Sequence, residues 1–221
     1  MTKERVDVLA YNQGLFDTRE QAKRGVMAGI VINALNGERF DKPGEKVSDD
    51  LELMIKGEKL PYVSRGGLKL ARALDIFKIS VLEQTAIDIG SSTGGFTDVM
   101  LQNGAKLVYA VDVGTNQLAW KIRQDDRVVV MEQFNFRYAK PEDFNHDLPT
   151  FASIDVSFIS LALILPALFD ILLEGGHVVA LIKPQFEAGR EQIGKNGIIK
   201  DAKIHETVIE TVVNIANGLG F

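Results

Sequence analysis

Three ionisable residues stand where apolar stretches of the chain begin or end, and carboxylates and amines at such places can move protons. Asp155 ends the stretch FASID, Lys183 ends VVALIK in front of Pro184, and Lys69 lies within SRGGLKL. Each residue also has an ordinary role open to it. Asp155 could cap the following helix, Lys183 could extend its amine to water, and Lys69 could lie on the surface. Taken singly, these residues leave both interpretations open.

A glycine-rich loop lies upstream of Asp155, in the sequence AIDIGSSTGGF. Asp88, Gly90 and Gly94 give it an acidic-x-Gly-x-x-x-Gly spacing, which is neither the G-x-G-x-x-G of dinucleotide sites nor a P-loop with its Lys-Ser/Thr. The spacing suits S-adenosylmethionine, because glycines let the backbone approach the methionine and ribose. Asp88 can then hold the amino group of the methionine, directly or through water. The alternative is a tight strand-to-helix turn that binds no ligand.

A second acidic residue favours the cofactor interpretation. A carboxylate at the end of the next strand can accept both ribose hydroxyls with its two oxygens, and YAVDVG places Asp112 there. After the third strand, MEQFNFR offers Phe134 and Asn135 to the adenine. The residues predicted to bind S-adenosylmethionine are Asp88, Gly90, Ser91, Gly94, Gly95, Phe96, Asp112, Val113, Phe134 and Asn135.

From about residue 84, apolar strands alternate with helices, which predicts an α/β fold with a Rossmann-like, doubly wound parallel sheet. The predicted strands are TAIDIG, KLVYAVDVG, RVVVMEQ, FASIDVS and GHVVALIK. The predicted helices are GGFTDVMLQNG, QLAWKIRQ, ISLALILPALFDILL and DAKIHETVIETVVNIANGLG. Ligands of such folds bind at the carboxyl ends of the strands. The loop, Asp112, Asp155 and Lys183 are therefore expected to meet at this edge.

Residues 1–58 have a different pattern, typical of a small α+β domain, and residues 59–83 are predicted to form a linker and an entry helix. Thr18 is the predicted N-cap of a helix, with Gln21 as its capping-box partner and Gly29 as its stop. Short strands follow, with a turn at Asn36-Gly37. Basic residues on the helix could simply form a solvated face.

The stretch RVDVLAYNQGLFDTREQAKRGVMAGIVIN nevertheless resembles the S-four RNA-binding domain, named after a small-subunit ribosomal protein. The resemblance covers nearly the whole N-terminal region and implies that its basic side chains contact RNA phosphates, which positions RNA without reading its sequence. The residues assigned to RNA binding are Arg5, Arg19, Lys23, Arg24 and Arg65.

Several strings across the chain together resemble one family, the TlyA proteins, also called hemolysin A-like, which join an S-four domain to an FtsJ-like methyltransferase domain. The strings are SRGGLKL, DIGSSTGGFTD, AVDVG, IDVSFISL and LIKPQFEAGR. The resemblance implies 2′-O-methylation of ribose in the ribosomal RNA of both subunits, with S-adenosylmethionine as donor. The family's catalytic set is Lys-Asp-Lys-Glu, and its first three members map onto Lys69, Asp155 and Lys183.

The fourth member of the family's set has no match before the chain stops at NIANGLGF. Residues 84–221 are therefore expected to be a methyltransferase domain truncated at its C-terminus, without the last strands of the sheet and the catalytic glutamate. The alternative that this leaves open is an RNA-binding protein whose methyltransferase domain is inactive.

Methyl transfer requires the 2′-hydroxyl to lie in line with the sulfonium methyl, at about 3 Å, and to lose a proton. A free lysine has a pKa of about 10.4, which burial and a neighbouring positive charge lower. We predict that Lys183 is the base or the principal contact of the hydroxyl, that Asp155 orients it, and that Lys69 tunes its charge and touches substrate phosphate. Proton loss late in the transfer would demand less of any base.

Composition excludes several classes. The 221 residues carry a net charge of −5 and no cysteine, which excludes a disulfide framework and a cysteine-based metal site, and no metal requirement is expected. The apolar run FISLALILPALFDILL is shorter than the roughly 20 residues of a membrane span, and Pro166 and Asp170 interrupt it. The N-terminus lacks the apolar core of a signal peptide.

We therefore expect a cytoplasmic protein whose partner is ribosomal RNA or a ribosomal subunit, with no membrane association. A membrane-lysing hemolysin and a small-molecule methyltransferase are the remaining alternatives. The first lacks a strong basic amphipathic helix, and the second does not explain the N-terminal region.

Overall fold

The computed structural model describes residues 3–57, 61–189, 192, 194, 199 and 201–221. Two compact units divide the chain, Met1–Lys69 and Leu70–Phe221. Parts of two quoted strings, residues 58–60 of the predicted linker and Arg190 of LIKPQFEAGR, lie outside the described residues.

The first unit is built from short strands and two helices. They are β1 (Lys3–Arg5), α1 (Val6–Asn12), α2 (Arg19–Met27), β2 (Val31–Asn33), β3 (Lys46–Ser48) and β4 (Leu53–Ile55). β1 pairs antiparallel with β3, and β2 pairs antiparallel with β4. The core between them is aliphatic apart from one ring, and its buried residues are Val6, Leu9, Ala10, Ala22, Val26, Val31, Phe40 and Leu53.

The predicted boundaries of the basic helix are confirmed. Thr18 has extended backbone, and its Oγ1 accepts a hydrogen bond from the N–H of Gln21 at 3.2 Å, a cap of the kind that is worth about 1 kcal/mol. The helix ends at Met27, and Gly29 then adopts φ +66°, the left-handed conformation that commonly follows a helix. The Asn36-Gly37 turn is also present, with Gly37 at φ +73°.

The second unit carries a parallel sheet, as the alternation of strands and helices predicts. α3 (Gly67–Phe77) leads into β5 (Thr85–Ile89), α4 (Gly95–Gln102), β6 (Leu107–Val111), α5 (Trp120–Arg123), β7 (Val128–Met131), β8 (Phe151–Ile154), α6 (Leu165–Ile171), β9 (His177–Ala180), α7 (Pro184–Glu187) and α8 (Ala202–Leu219). Among the described residues the strand order is β7-β6-β5-β8-β9.

This order places the topological switch between β5 and β8, since the chain moves outward on one side through β6 and β7 and on the other through β8 and β9. All five residues of β5 are buried, as expected for the central strand of a sheet covered on both faces. In doubly wound folds, ligands bind beside such a switch, outside the carboxyl ends of the strands.

One stretch that was predicted to be a single helix is divided into two elements. The stretch ISLALILPALFDILL forms a 3₁₀ turn at Leu161–Leu163 and then the separate helix α6, with Pro166 in its first turn. Proline has no N–H and clashes with the carbonyl four residues back, so it is tolerated in the first turn of a helix and not in its middle. The predicted helix QLAWKIRQ shortens to α5. Within the described parts of the chain, no helix combines the length and the apolarity that a membrane crossing requires.

Candidate active site

The loop after β5 turns sharply at two of its glycines. Gly90 adopts φ +86°, and a Cβ at this position would lie 2.7 Å from the carbonyl oxygen of Asp155. Gly94 adopts φ +90° at the start of α4, where a Cβ would lie 2.8 Å from the side chain of Leu118. Both positions therefore require glycine, for conformation and for space. The first of them brings the loop against the end of β8.

Asp112, directly after β6, joins two loops. Its Oδ2 accepts a hydrogen bond from the N–H of Ser92 at 2.8 Å, and its Oδ1 accepts one from the N–H of Gly114 at 2.7 Å. Ser92 is held at φ +47° in this arrangement. A carboxylate oxygen can accept a second bond, so each oxygen of Asp112 retains capacity for a ligand hydroxyl.

Asp88 lies beneath the loop rather than in it. Its carboxylate is fully buried, and its Oδ2 accepts bonds from the N–H of Thr97 at 2.9 Å and the hydroxyl of Thr97 at 2.7 Å. The hydroxyl of Ser153 donates to Oδ1 at 3.2 Å. These bonds fasten the first turn of α4 to the ends of β5 and β8. Burial raises the pKa of Asp88 to about 6, against the opposing effect of these donors.

Asp88 should therefore make stability depend on pH. Its pKa is about 6 in the folded protein, against an ordinary value of 3.8 for an exposed aspartate, so the folded protein holds a proton that the unfolded chain has lost between these values. The contribution of Asp88 to stability is largest below this range and falls by about 2–3 kcal/mol as pH rises through it. Asp88→Asn should remove this slope, which urea unfolding of both proteins between about pH 4 and about pH 7.5 will measure.

The exposed residue Asp170 supplies the matched control, since Asp170→Asn should keep the wild-type profile. If wild type and Asp88→Asn instead give parallel profiles, Asp88 does not carry a proton in the folded protein over this range.

A cavity of about 440 Å³ lies above these groups, at the carboxyl ends of the strands. Its size is in the usual range for small-molecule sites. Of the residues predicted to bind the cofactor, those that line it are Gly90, Asp112, Val113, Phe134 and Asn135. The others lie in the loop and the first turn of α4 around it, and they are Ser91, Gly94, Gly95 and Phe96, with Asp88 underneath.

Asp155 lines the same cavity, and Lys183, which does not line it, contacts Asp155. The Nζ of Lys183 lies 2.5 Å from Oδ1 of Asp155 and donates to the hydroxyl of Ser157 at 3.1 Å. Both side chains of the ion pair are about four-fifths buried, with 20% and 18% exposed. Lys183 has extended backbone before Pro184, as predicted, which turns its side chain back from the end of β9 toward the end of β8.

The remaining predicted site residues belong to the first unit, which ends at Lys69, so that the first three residues of α3 fall in it and the rest in the second unit. Lys69 lies partly buried in the first turn of α3. The guanidinium of Arg5 donates two hydrogen bonds of 2.9 Å to the buried carboxylate of Asp7, and this contact lowers the pKa of Asp7. Arg65 lies over the turn at Gly37, where a Cβ would fall 2.2 Å from Nη1. Arg19, Lys23 and Arg24 are exposed on α2.

Several residues at the site were not predicted from the sequence. Ser92, Gln117, Ser157 and Phe158 line the cavity, and Glu187 bonds to the loop after β8. Phe158 has the strongest signature, since its ring is 91% exposed and its backbone adopts φ +64°, which is unusual for an aromatic residue. The string DVSFIS carries no signal for that conformation.

The arrangement combines a carboxylate with capacity for two hydroxyls, an aromatic wall and an ion-paired lysine at the rim. The first two suit a nucleoside, and the third suits contact with a hydroxyl group that reacts. In the described residues, no group of three or more histidine, aspartate or glutamate side chains could hold a metal ion.

Comparison with known proteins shows the family of this chain. The sequence pattern of the FtsJ-like methyltransferase family matches residues 62–221. Bacillus subtilis YqxC, named as an rRNA methyltransferase, is 60% identical over 99% of this chain and 77% of its own length. Mycobacterium tuberculosis TlyA, named as a 16S/23S rRNA (cytidine-2′-O)-methyltransferase, is 40% identical over 99% of this chain and 81% of its own length. A solved Streptococcus thermophilus structure, named for a hemolysin, is 73% identical with TM-score 0.74, covering 100% of this chain and 80% of that one.

Proposed function

The chain belongs to the FtsJ-like methyltransferase family, and we propose from this premise that it methylates a ribose 2′-hydroxyl of ribosomal RNA with S-adenosylmethionine as donor. The observation that carries the proposal is the ion pair of Asp155 and Lys183 beside the cavity that Asp112 lines. The name of the M. tuberculosis relative supports ribosomal RNA as the substrate.

The residues of the cavity fit the cofactor. Asp112 accepts the two ribose hydroxyls, and Phe134 and Asn135 contact the adenine. Gly90, without a side chain, lets the donor approach the end of β8. When bound, the cofactor supplies a methyl group that its sulfonium already activates. The protein therefore has to orient the acceptor hydroxyl and remove its proton.

Lys183 contacts the 2′-hydroxyl, and in its neutral amine form, after its own proton has passed to solvent, its lone pair accepts the hydroxyl proton. The ion pair with Oδ1 of Asp155 at 2.5 Å and the hydrogen bond to the hydroxyl of Ser157 at 3.1 Å fix Nζ beside the end of β8. Asp155 therefore acts as the orienting group. Lys69 is the first member of the catalytic set that the family's pattern implies, and its role stays a prediction.

The acceptor nucleotide enters beside the exposed ring of Phe158. An open groove of about 650 Å³ adjoins the cofactor cavity, sharing Phe158 and Ile159 with it, and Arg137 stands in its wall. An aromatic face stacks on any base, a contact worth about 1–3 kcal/mol, and an arginine suits the phosphate backbone. The groove therefore provides the nucleic-acid side of the site.

Residues 1–58 form the S-four-like RNA-binding domain in this proposal, followed by the linker and entry helix of residues 59–83. Arg19, Lys23 and Arg24 are exposed on one short helix, so they can reach phosphates. Arg5 contributes less to RNA binding than its charge suggests, because two of its N–H groups donate hydrogen bonds to Asp7.

The proposal predicts transfer of tritium from labelled S-adenosylmethionine to unmodified small or large ribosomal subunits. The labelled nucleotide should resist alkaline cleavage at its 3′ phosphate, because a 2′-O-methyl group removes the hydroxyl that attacks there. Digestion and nucleotide mapping will identify the position. Subunits methylated beforehand by the same protein serve as the control and should accept no label.

Two outcomes would contradict the proposal. Label in a base, with normal alkaline cleavage, would make the chain a different RNA methyltransferase. Binding of S-adenosylmethionine with no transfer to either subunit would favour an RNA-binding protein with an inactive methyltransferase domain.

A further inference from the structure

Glu187, the last residue of α7, binds one loop of the active site through both of its carboxylate oxygens. Its Oε2 accepts a hydrogen bond from the hydroxyl of Ser160 at 2.6 Å, and its Oε1 accepts one from the N–H of Leu161 at 2.8 Å. We propose that Glu187 is a positioning residue, which holds the loop after β8 in the shape that the reaction requires. The catalytic part of this inference rests on the proposed methyl transfer.

The restrained loop, residues 155–161, carries Asp155, Ser157 and Phe158. It follows β8, while the turn that carries Lys183 and Glu187 follows β9, and the two strands are parallel neighbours. The loop and the turn are in contact at three places. Lys183 contacts Asp155 and Ser157, the rings of Phe186 and Phe158 lie 5.1 Å apart, and Glu187 closes the far end.

The backbone conformation of Phe158, which lies between these contacts, is strained and has to be held by its surroundings. Phe158 adopts φ +64°, and a bulky residue in the left-handed region costs of order 1–3 kcal/mol, which persists only where the surroundings over-determine it. The contacts of Lys183, Phe186 and Glu187 supply that support on both sides of Phe158. Among them, Glu187 contributes two charge-assisted bonds to partly or fully buried groups.

Ser160 connects Glu187 to the 3₁₀ turn that follows the loop. While its hydroxyl donates to Glu187, its Oγ accepts the N–H of Ala162 at 3.1 Å and caps the 3₁₀ turn Leu161–Leu163. The carboxylate thus fixes the direction of the hydroxyl proton and leaves the oxygen lone pairs for the cap. Glu187 anchors the loop at its downstream end in the same way that β8 anchors it upstream.

We expect Glu187→Ala to lower kcat about 10- to 100-fold, because a misplacement of 1 Å in an active site can cost that much. The dissociation constant of S-adenosylmethionine should change less than about threefold, because the residues assigned to its ribose and adenine, Asp112, Phe134 and Asn135, lie outside the restrained loop. Glu187→Gln keeps an acceptor for the N–H of Leu161 and should recover part of kcat. Recovery by the conservative variant separates positioning from a general loss of folding.

Hydrogen–deuterium exchange of the same proteins, without substrate, tests the restraint directly. In Glu187→Ala, peptides that cover residues 157–163 should exchange faster, while peptides of α4 keep their wild-type rates. Glu174→Ala is the matched control, because Glu174 is exposed at the opposite end of β9. It should leave kcat and exchange unchanged.

The outcomes separate the two proposals. If wild type transfers no methyl group, the proposed function fails, and exchange still decides whether Glu187 restrains the loop. If wild type is active while Glu187→Ala keeps its kcat or its exchange pattern, the positioning role is overturned.

Discussion

Lys183→Ala should lower the rate of methyl transfer to ribosomal RNA by about 10²–10⁴-fold, the usual contribution of a general acid or base. The variant loses the amine that Asp155 and Ser157 hold at the end of β9. It should nevertheless bind S-adenosylmethionine almost as well as wild type, because Lys183 does not line the cofactor cavity. Single-turnover transfer of tritium measures the first effect and isothermal titration calorimetry the second.

Lys106 offers a close control for this substitution. It is also an ion-paired lysine, with its Nζ 2.8 Å from Asp147, but it precedes β6 and so lies at the amino end of the sheet. Lys106→Ala should retain the wild-type rate within about twofold. Wild-type turnover by Lys183→Ala would remove Lys183 from the mechanism, and equal losses in both variants would point to a general effect of removing a lysine.

Asp112→Ala should weaken the binding of S-adenosylmethionine by about two orders of magnitude or more, since each hydrogen bond to a charged group contributes about 1.5–3 kcal/mol. The substitution removes the proposed acceptor of both ribose hydroxyls. It also leaves the N–H groups of Ser92 and Gly114 without their present acceptor, which loosens the loop around the cofactor. Calorimetric titration with S-adenosylmethionine measures the affinity.

Two further variants sharpen that measurement. Asp112→Asn retains one carbonyl oxygen and should fall between wild type and Asp112→Ala. Asp126→Ala removes an exposed acid just before β7 and should bind the cofactor with wild-type affinity within about twofold. If Asp112→Ala also binds at wild-type affinity, the ribose of the cofactor does not lie against Asp112.

The sheet and its reactive edge were predictable from the sequence because apolar strands alternate with helices from residue 84 onward. Parallel strands all end at the same edge, so residues that follow different strands can be placed together without knowing the strand order. Asp155 and Lys183 meet for this reason, through the neighbouring strands β8 and β9.

The parts of the site that the sequence did not predict depend on side-chain direction and on loop shape. Whether Asp88 points into the cavity or beneath it depends on the pleat of β5, and the strand is buried on both faces, so no alternation of buried and exposed residues reveals it. Ser157, Phe158 and Glu187 lie in irregular backbone, where contacts come from the path of the loop and not from a period. The small N-terminal domain remains a proposal as an RNA-binding module.

The close approach of Gly90 to Asp155 has a consequence for anyone who wishes to re-engineer the donor pocket. A methyl group at position 90 would meet the carbonyl of Asp155 at 2.7 Å, so the donor loop cannot bulge there without displacing the residue that orients Lys183. In the proposed mechanism, a change of the donor loop at Gly90 would therefore also displace Asp155. A version that accepts bulkier sulfonium donors should gain its space beside Phe134 and Asn135, which line the same cavity and take no part in that contact.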